Sequence, residues 1–454
     1  MPILFFLLLL VLTPYQSLAK DHSISIQKTV QGVLHHHRGI RAEVELKQAM
    51  ESDLTRAKAG FGPRIDVTTR GGWGLLSDET QRARQLDNQF YGYTNLQAQL
   101  VQPIWDGFAT RSRVRQAKSS LAAQQWRLFD TATSLSLDGI AAHIDLLRRK
   151  AIVGLAKSNV DHHTHLVTLA KDRAAIGMDT TADVTQAHSR LERALAYASD
   201  AQAQLHIAEQ TYKRVTGMDP HNLAQVPMPP KIFKQSKDVL ERAQKHNPRL
   251  AAYLEDVRAR RAQVEEAQAS FYPSLSLEAG PSYTDRGGST DRWVYSFDVM
   301  GVARWNVFAS GASLAEKKAA QARTRQARQV MYDYADALKL EIESTWDNFC
   351  SAKQQYENYA RALAYSKHTR IAYEEQFMIG GRSILDVLDA ESEIYSFATQ
   401  SETARANILL GAYRLLALTG EMLPAMDIDL TPLRTKAKKD PKDKREEFKP
   451  GWFE

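Results

Sequence analysis

Asp386 and Asp389 stand three residues apart in the stretch GGRSILDVLDAES, which covers residues 380–392. That spacing puts both side chains on one face of a helix. Two carboxylates in such a place can run acid/base chemistry, cap the start of a helix, or belong to a charged ring that attracts cations. Capping suits Asp386, because Ser383 precedes it with the spacing of a capping box. It does not account for Asp389, for which the other two interpretations stay open.

Catalysis by this pair is disfavoured by the rest of the sequence. No partner histidine or nucleophile lies nearby, and the chain has no GxSxG, HExxH, P-loop or GxGxxG motif. Histidines cluster at 35–37 and 162–165, but consecutive histidines on a helix point in different directions. We therefore predict no catalytic residue, no metal site and no cofactor.

The N-terminus predicts export from the cytoplasm. Ile3–Leu12 is an unbroken run of ten apolar residues, and Ser17-Leu18-Ala19 supplies the small residues of a cleavage site before Lys20. The run is much shorter than the ~20 apolar residues of a membrane-spanning helix. A signal peptide is therefore preferred to a buried N-terminal helix.

Charge and cysteine content exclude other classes of protein. The formal net charge is +6, and the segment Thr431–Glu454 carries eight Lys/Arg against five Asp/Glu. Because the rest of the chain is nearly balanced and is predicted to be exported, we expect no nucleic-acid partner. The only cysteine, Cys350, excludes an intrachain disulfide or a CxxC site, and its helical context predicts a packed side chain.

The sequence contains two copies of one plan. IGMDTTADVTQAHSRL (176–191) aligns with IGGRSILDVLDAESEI (379–394) at an offset of 203 residues. AKAGFGPRIDV (57–67) aligns with AQASFYPSLSL (267–277) at an offset of 210 residues. We predict a signal peptide over 1–19, a first repeat over 20–217, a linker over 218–235, a second repeat over 236–420 and a disordered basic tail over 421–454.

The alignment separates the two acids. Asp386 lies opposite Asp183, which follows Thr180 with the same capping-box spacing, whereas Asp389 lies opposite Gln186. An acid that occurs in one repeat only is not needed for capping. The residues alone therefore leave the charged-ring interpretation open for the pair.

Each repeat begins with a helix of ~35 residues, followed by two strands that alternate apolar and polar residues. The alternating stretches are 64–75, 94–100, 274–283 and 293–299. Aromatic residues near the strand ends suit an interfacial belt in a membrane, with core packing as the alternative. They are Trp73, Tyr91, Tyr93, Tyr283, Trp293 and Tyr295.

Two very long helices follow the strands in each repeat. No proline occurs from Phe108 to Gly177, and neither proline nor glycine occurs from Ala312 to Ile379. Small apolar residues then recur at 3/4 spacing after each glycine break, which predicts a coiled-coil seam of closely approaching helices. The seam begins at Val184, Ala187, Leu191 and Ala194 in the first repeat and at Val387, Ala390 and Ile394 in the second.

The four strands are too few to stand in lipid alone. Small membrane barrels begin at eight strands, and an open sheet leaves unsatisfied edges. Several copies of the chain must therefore share one barrel. We predict a mainly helical fold with a membrane β-barrel, in which each protomer contributes four strands and a long coiled-coil part.

Three features stand out: the doubled plan, the Phe-x-Pro before the first strand of each copy, and the run Gly-x-Arg-Ser-x-x-Asp-Val-Leu-Asp. With these features the chain resembles the TolC-like outer-membrane exit ducts over essentially all of its mature length. The stretch 386–420 is most similar to members that serve type I secretion. The resemblance implies a homotrimer with a twelve-stranded barrel in outer-membrane lipid and a helical barrel in the periplasm. It also implies a periplasmic adaptor (membrane fusion) protein and an inner-membrane ABC transporter, or another efflux pump, as partners.

The resemblance also assigns roles to residues. It implies a gate at Asp386 and Asp389, whose closed state is held by a latch of Asp183, Arg382 and Phe377. Phe377 replaces the tyrosine of the related channel and lacks its hydroxyl, so the latch is looser or uses another donor. The adaptor is expected to dock at the helical tips, at Gly177, Thr181, Val184, Gly380, Gly381, Ser383 and Val387.

The sequence therefore predicts a passive channel-tunnel of a type I secretion system, and not an enzyme. An outer-membrane duct of a multidrug efflux pump has the same architecture and is the first alternative. A periplasmic coiled-coil scaffold is the second alternative.

Overall fold

The computed structural model describes residues 23–75, 79–83, 90–286 and 293–428 together with Leu433. The predicted signal peptide (1–19) lies outside the described residues, and so does most of the predicted tail (421–454). The described part is mainly helical with one four-stranded sheet, which confirms the predicted fold class. Closure of the barrel by several copies stays a prediction.

The order helix, helix, strand, strand, helix, helix occurs twice along the chain. A short helix interrupts the first strand pair and another follows the last long helix. The elements are α1 (Ile26–His36), α2 (Arg38–Ala59), β1 (Arg64–Leu75), α3 (Glu79–Ala83), β2 (Phe90–Trp105), α4 (Ala109–Ala175), α5 (Thr181–Thr216), α6 (Ser236–His246), α7 (Pro248–Ala269), β3 (Ser274–Arg286), β4 (Trp293–Arg304), α8 (Ala312–Met378), α9 (Ile384–Leu418) and α10 (Met422–Ala425).

The single first helix predicted for each repeat is wrong, because two helices occupy that stretch. His37 separates α1 from α2, and its ring accepts a hydrogen bond from the Gly39 amide. Asn247 separates α6 from α7 with an extended backbone, and its side chain caps α7 through the Leu250 amide at 2.9 Å. Pro248 stands at the first position of α7, where its missing N–H costs nothing.

The strands form one antiparallel sheet in the order β1-β2-β3-β4, so that β1 and β4 are its edges. Alternate residues expose apolar side chains on one face; Ile65, Val67, Phe297 and Val299 are all at least 60% exposed. Polar side chains bond to each other on the other face. There the buried Glu278 carboxylate accepts hydrogen bonds from Arg304 at 2.6 Å and from Gln99 at 2.8 Å.

Both long helices after the strands are unbroken, as predicted, with 67 residues each. The seam predicted for α5 is confirmed, because Ala187, Ala194, Ala201 and Ala208 are buried at intervals of seven residues. A methyl side chain at these positions lets neighbouring helices approach closely. Ala390 and Ala404 of α9, which align with Ala187 and Ala201, are buried as well.

The chain divides into two compact units. Of the described residues, the first unit contains 23–36, 136–228 and 350–410, which include the junctions α4–α5 and α8–α9. In this unit the Thr29 hydroxyl of α1 lies 2.8 Å from Nδ1 of His143 and 2.9 Å from the Tyr212 hydroxyl. This buried network fastens α1 to α4 and α5.

Of the described residues, the second unit contains 37–75, 79–83, 90–135, 229–286, 293–349, 411–428 and Leu433, and with them the sheet. Glu421 accepts hydrogen bonds from Lys231 and Arg242, and these partners lower the pKa of its carboxyl against the opposing effect of burial. Met422 and Leu423 are fully buried. The first residues of the predicted tail therefore pack on this unit. Cys350, predicted to be packed, is exposed.

Among the described helices, none is both sufficiently long and sufficiently apolar to span a membrane.

Candidate gate at the two helical turns

Each long helix before a turn ends in the same way. Gly177 after α4 and Gly380 after α8 have φ angles of 76° and 78°, the left-handed region that glycine adopts readily. The Met178 amide bonds back to the Arg173 carbonyl, and the Gly381 amide bonds back to the Gln376 carbonyl. These bonds satisfy the last carbonyls of each helix as in a Schellman motif. Two helical turns of one design, the first turn (176–180) and the second turn (379–383), therefore carry the predicted site.

Asp183 is used as a helix cap. The Thr180 amide and hydroxyl donate to its carboxylate at 3.0 and 2.7 Å, and the Asp183 amide bonds to the Thr180 hydroxyl, so the capping box is complete. The hydrogen bonds of Thr180, from its hydroxyl first and then from its amide, lower the pKa of the Asp183 carboxyl. The predicted pair between Asp183 and Arg382 is absent from the described contacts within one chain.

Asp386 is not used in the same way. The Ser383 hydroxyl accepts a hydrogen bond from the Leu385 amide at 3.2 Å, and the reciprocal box predicted for Asp386 is not among the described bonds. The Asp386 carboxylate instead lies 3.5 Å from Arg382. Arg382 also donates to Gln376 at 3.0 Å, and its guanidinium lies 4.1 Å from the Tyr373 ring centre. Asp386 is thus free of the capping role that its spacing allows.

Asp389 has an arginine partner that the sequence analysis missed. Arg190 of α5 donates to its carboxylate at 2.8 Å, although the Asp389 side chain is 63% exposed. The sequence carried no signal for this contact, because helical periodicity does not say which helices pair. The two predicted gate carboxylates therefore each face one arginine of the same chain.

Phe377 is a packing residue. It is fully buried, in a core cluster to which α4, α5, α8 and α9 all contribute. The latch predicted from Asp183, Arg382 and Phe377 is therefore not assembled within one chain, because the three residues have different partners. A latch between copies stays a prediction. The cluster contains Leu166, Val167, Ala170, Ala187, Ile384, Val387 and Leu388 besides Phe377.

Most residues of the predicted docking surface are exposed. They are Gly177, Thr181, Gly380, Gly381 and Ser383. Val184 is half-buried, and Val387 is fully buried and has no surface to offer a partner. The sequence analysis missed four large apolar side chains that are exposed around the same turns, namely Ile176, Met178, Met378 and Ile379. They add an apolar component to the predicted docking surface.

Buried charges lie next to the gate residues along the helices. The Glu391 carboxylate lies 3.6 Å from Arg370, whose guanidinium also lies 3.2 Å from Nδ1 of His162. Burial raises the pKa of Glu391, against the opposing effect of His162 and Arg370. Burial, reinforced by Arg193 and Arg190, lowers the pKa of His163 to about 4. The described residues contain no group of three or more His, Cys, Asp or Glu side chains placed to hold a metal ion.

The model of the outer membrane efflux protein family matches residues 30–218 and 239–421. The chain is 25% identical over 373 residues to the outer membrane efflux protein BepC of Brucella suis biovar 1, a match that covers 82% of this chain and 80% of BepC. It is 21% identical over 403 residues to the alkaline protease secretion protein AprF of Pseudomonas aeruginosa, covering 86% and 83%.

A solved structure has the same fold. The CmeC outer membrane channel of Campylobacter jejuni superposes with a TM-score of 0.76 at 15% identity, over 89% of this chain and 90% of CmeC. The predicted resemblance to TolC-like exit ducts is confirmed by the family match and by this fold.

Proposed function

The chain belongs to the outer membrane efflux protein family, and from that premise we propose that it is the outer-membrane channel of a type I secretion system. Like its family it is a protein of the outer membrane, with its helical part in the periplasm. The family consists of channels, and the proposal assigns this chain no catalytic residue. Its role is to conduct cargo.

The observation that carries the proposal is the exposed apolar face of the sheet. All four strands, of 12 to 16 residues, are longer than the ~9–11 residues that cross a bilayer at a tilt. Large apolar side chains such as Val67, Trp73 and Phe297 point away from the chain on one face. A surface of this kind is costly in water and favourable in lipid.

The resemblance to TolC-like exit ducts implies that three copies close the sheet. The outer edges of β1 and β4 carry backbone groups that lipid cannot satisfy. Neighbouring strands are antiparallel, so the even number per copy makes β4 antiparallel to β1 of the next copy. Three copies give a twelve-stranded barrel, above the minimum of about eight strands for a small membrane barrel.

Asp386 and Asp389 form the gate in this assembly. Three copies bring their carboxylates around one axis, where like charges attract cations to the path. Because the chain has no nucleotide-binding motif, the energy for export comes from an inner-membrane ABC transporter. A periplasmic adaptor docks at the two turns and opens the gate.

The similarity of 386–420 to type I secretion members and the match to a protein named for alkaline protease secretion favour protein cargo. The match to an efflux protein keeps multidrug efflux as the second candidate. A periplasmic scaffold gives no reason for an apolar sheet face, which counts against it.

Deletion of the gene separates the two cargo classes. We expect the deletion strain to lose one or more proteins from its culture medium, with drug susceptibility unchanged and restoration by the wild-type chain. Raised drug susceptibility with an intact set of secreted proteins would assign the channel to efflux instead. Outer-membrane fractions should contain heat-modifiable trimers, and purified trimers should conduct ions in planar bilayers. A detergent-free soluble monomer would refute the channel itself.

A further inference from the structure

One side chain joins the first turn to the end of α8 inside a single protomer. Arg173, in the last turn of α4, is buried and donates from Nε to the Asp179 carboxylate at 3.1 Å. Its Nη1 donates to the Met378 carbonyl at 3.2 Å, and the guanidinium lies 4.4 Å from the centre of the Phe377 ring. The first partner belongs to the first turn, and the other two belong to the end of α8. We call this group of four residues the clasp.

The repeat shows what is special about the clasp. At the offset of 203 residues, Arg173 aligns with Gln376 and Asp179 aligns with Arg382. Both pairs are bonded, the second through Arg382 and the Gln376 side-chain oxygen at 3.0 Å. At each turn, therefore, a side-chain hydrogen bond links the same two aligned positions. Arg173 belongs to the first hairpin, formed by α4 and α5, and also contacts the second hairpin, formed by α8 and α9. The described contacts of Arg382 all lie within the second hairpin, to which it belongs.

The ion pair of the clasp is more buried than the ion pairs of the two gate carboxylates. The Arg173 and Asp179 side chains are each 11% exposed, whereas Asp386 and Asp389 are 42% and 63% exposed in their pairs. Exposed pairs contribute little to stability, since water screens them and the long side chains lose entropy. Removing one partner of a buried pair is costly because the other charge is left without compensation.

The clasp also explains the phenylalanine at position 377. The ring offers its face to a cation, an interaction that strengthens when water is excluded. A hydroxyl is not needed for that contact. The fully buried Phe377 therefore acts as the platform on which Arg173 lies.

We propose that Arg173 is the positioning residue of the gate: it fastens the end of α8, which leads through the second turn to Asp386 and Asp389, to the first turn of the same protomer. The inference rests on the proposed channel function for its effect on conduction. Its structural part, the fastening of one hairpin to the other, does not depend on that function. Release of the clasp frees the second hairpin and raises the time that the gate is open.

The test uses full-length chain with the double substitution Arg173→Met and Asp179→Asn. The pair of changes removes the clasp and leaves no buried charge unpaired. The double substitution Lys171→Met and Asp172→Asn is the matched control, because it makes the same two changes of charge at exposed positions on the same turn of α4. Arg173→Lys keeps the charge but loses the planar donor fork, and serves if the double variant does not fold.

Two measurements are made on each variant. Spin labels are placed at Ala182 and Leu385, two exposed positions at the starts of α5 and α9, after Cys350→Ser. Labelled chains are diluted with unlabelled ones, and the distance between the labels is measured. Single-channel recording in planar bilayers gives the open time.

We expect the distance distribution to broaden and the open time to rise roughly 10- to 100-fold in the double variant, as for lost charge-assisted hydrogen bonds. The control should match the wild type, and Arg173→Lys should lie between. An unchanged distance distribution in folded protein would overturn the clasp. Broadening with unchanged open time would overturn its role in the gate. A wild-type chain that never conducts would refute the proposed function, and the distances would still decide the clasp.

Discussion

Substitution of Arg190 should strengthen the block of the channel by divalent cations. Arg190 neutralises Asp389 in the structure, and Arg382 lies close to Asp386, so the four side chains of one copy carry no net charge. Arg190→Ala leaves one uncompensated carboxylate in each copy. In the proposed trimer, three such charges face an ion on the axis.

The size of the effect follows from Coulomb's law. At a distance of ~8 Å in water, one charge attracts a divalent cation by about 1 kcal/mol, and three charges by about 3 kcal/mol. Over one Debye length, physiological salt reduces this attraction energy by a factor of about 3. The remaining ~1 kcal/mol corresponds to an affinity increase of roughly 5- to 10-fold.

The assay is the conductance of single channels in planar bilayers, titrated with Mg²⁺ from the periplasmic side. Half-block should occur at a roughly 5- to 10-fold lower concentration in Arg190→Ala than in the wild type. The double variant Arg190→Ala with Asp389→Ala restores neutrality and should return to the wild-type value. If Arg190→Ala leaves the block unchanged while the channel conducts normally, Asp389 does not face the path.

Three further predictions concern the same unit. Replacing Asp386 and Asp389 together with Ala should weaken divalent block from the periplasmic side; unchanged block in the same recordings would count against the gate. Gly380→Ala should destabilise the chain by about 1–2 kcal/mol, because Gly380 has a positive φ and its Cβ would meet no neighbour, so only backbone strain is added. Gly154→Ala is the control, because a Cβ at that position also has no neighbour, whereas its backbone is helical. Thermal melts should show a small gain in stability of about 0.5–1 kcal/mol for this variant. Equal losses of stability at both sites would disprove the strain argument. The pKa of His163 is lowered to about 4 in the folded chain, so the unfolded chain binds a proton first and stability should fall as the pH drops from about 6.5 to about 4. His163→Gln should reduce that loss in denaturant titrations at pH 7 and pH 5, and an identical pH dependence would show that His163 is not the group responsible.

The strands were predictable because their signal is local. Alternation of apolar and polar residues gave 64–75 for β1, and the structure has Arg64–Leu75. The prediction of 94–100 fell short of β2, which runs from Phe90 to Trp105, because glycine and proline interrupt the alternation at its ends. Backbone pairing with neighbouring strands overrides such local interruptions.

The first helix of each repeat was mispredicted for a local reason that was visible. Asn247-Pro248 combines a capping side chain with a residue suited to the first position of a helix, and His37 does the capping in the other copy. The contacts that two arginines make across the helices were not visible in this way. Arg190 and Arg173 contact residues about 200 positions away, and helical periodicity alone does not say which helices pair.

The capping spacing was a real but incomplete signal. Thr180 and Asp183 form the reciprocal box, whereas Ser383 and Asp386, with the same spacing, do not. The difference follows from Arg382, which directly precedes Ser383 and forms an ion pair with the Asp386 carboxylate. Asp179 occupies that position in the first turn and turns toward Arg173.

The two edge strands of the sheet determine how a mutant allele acts in a cell that also carries the normal gene. In the proposed trimer, β1 and β4 of one chain pair with β4 and β1 of its neighbours, so a subunit whose edge strand cannot pair disrupts every ring that contains it. If three subunits mix at random in equal amounts, only about one ring in eight contains intact subunits alone. An allele with a proline in the middle of β1 would therefore be dominant over the normal gene, whereas a deleted allele would be recessive.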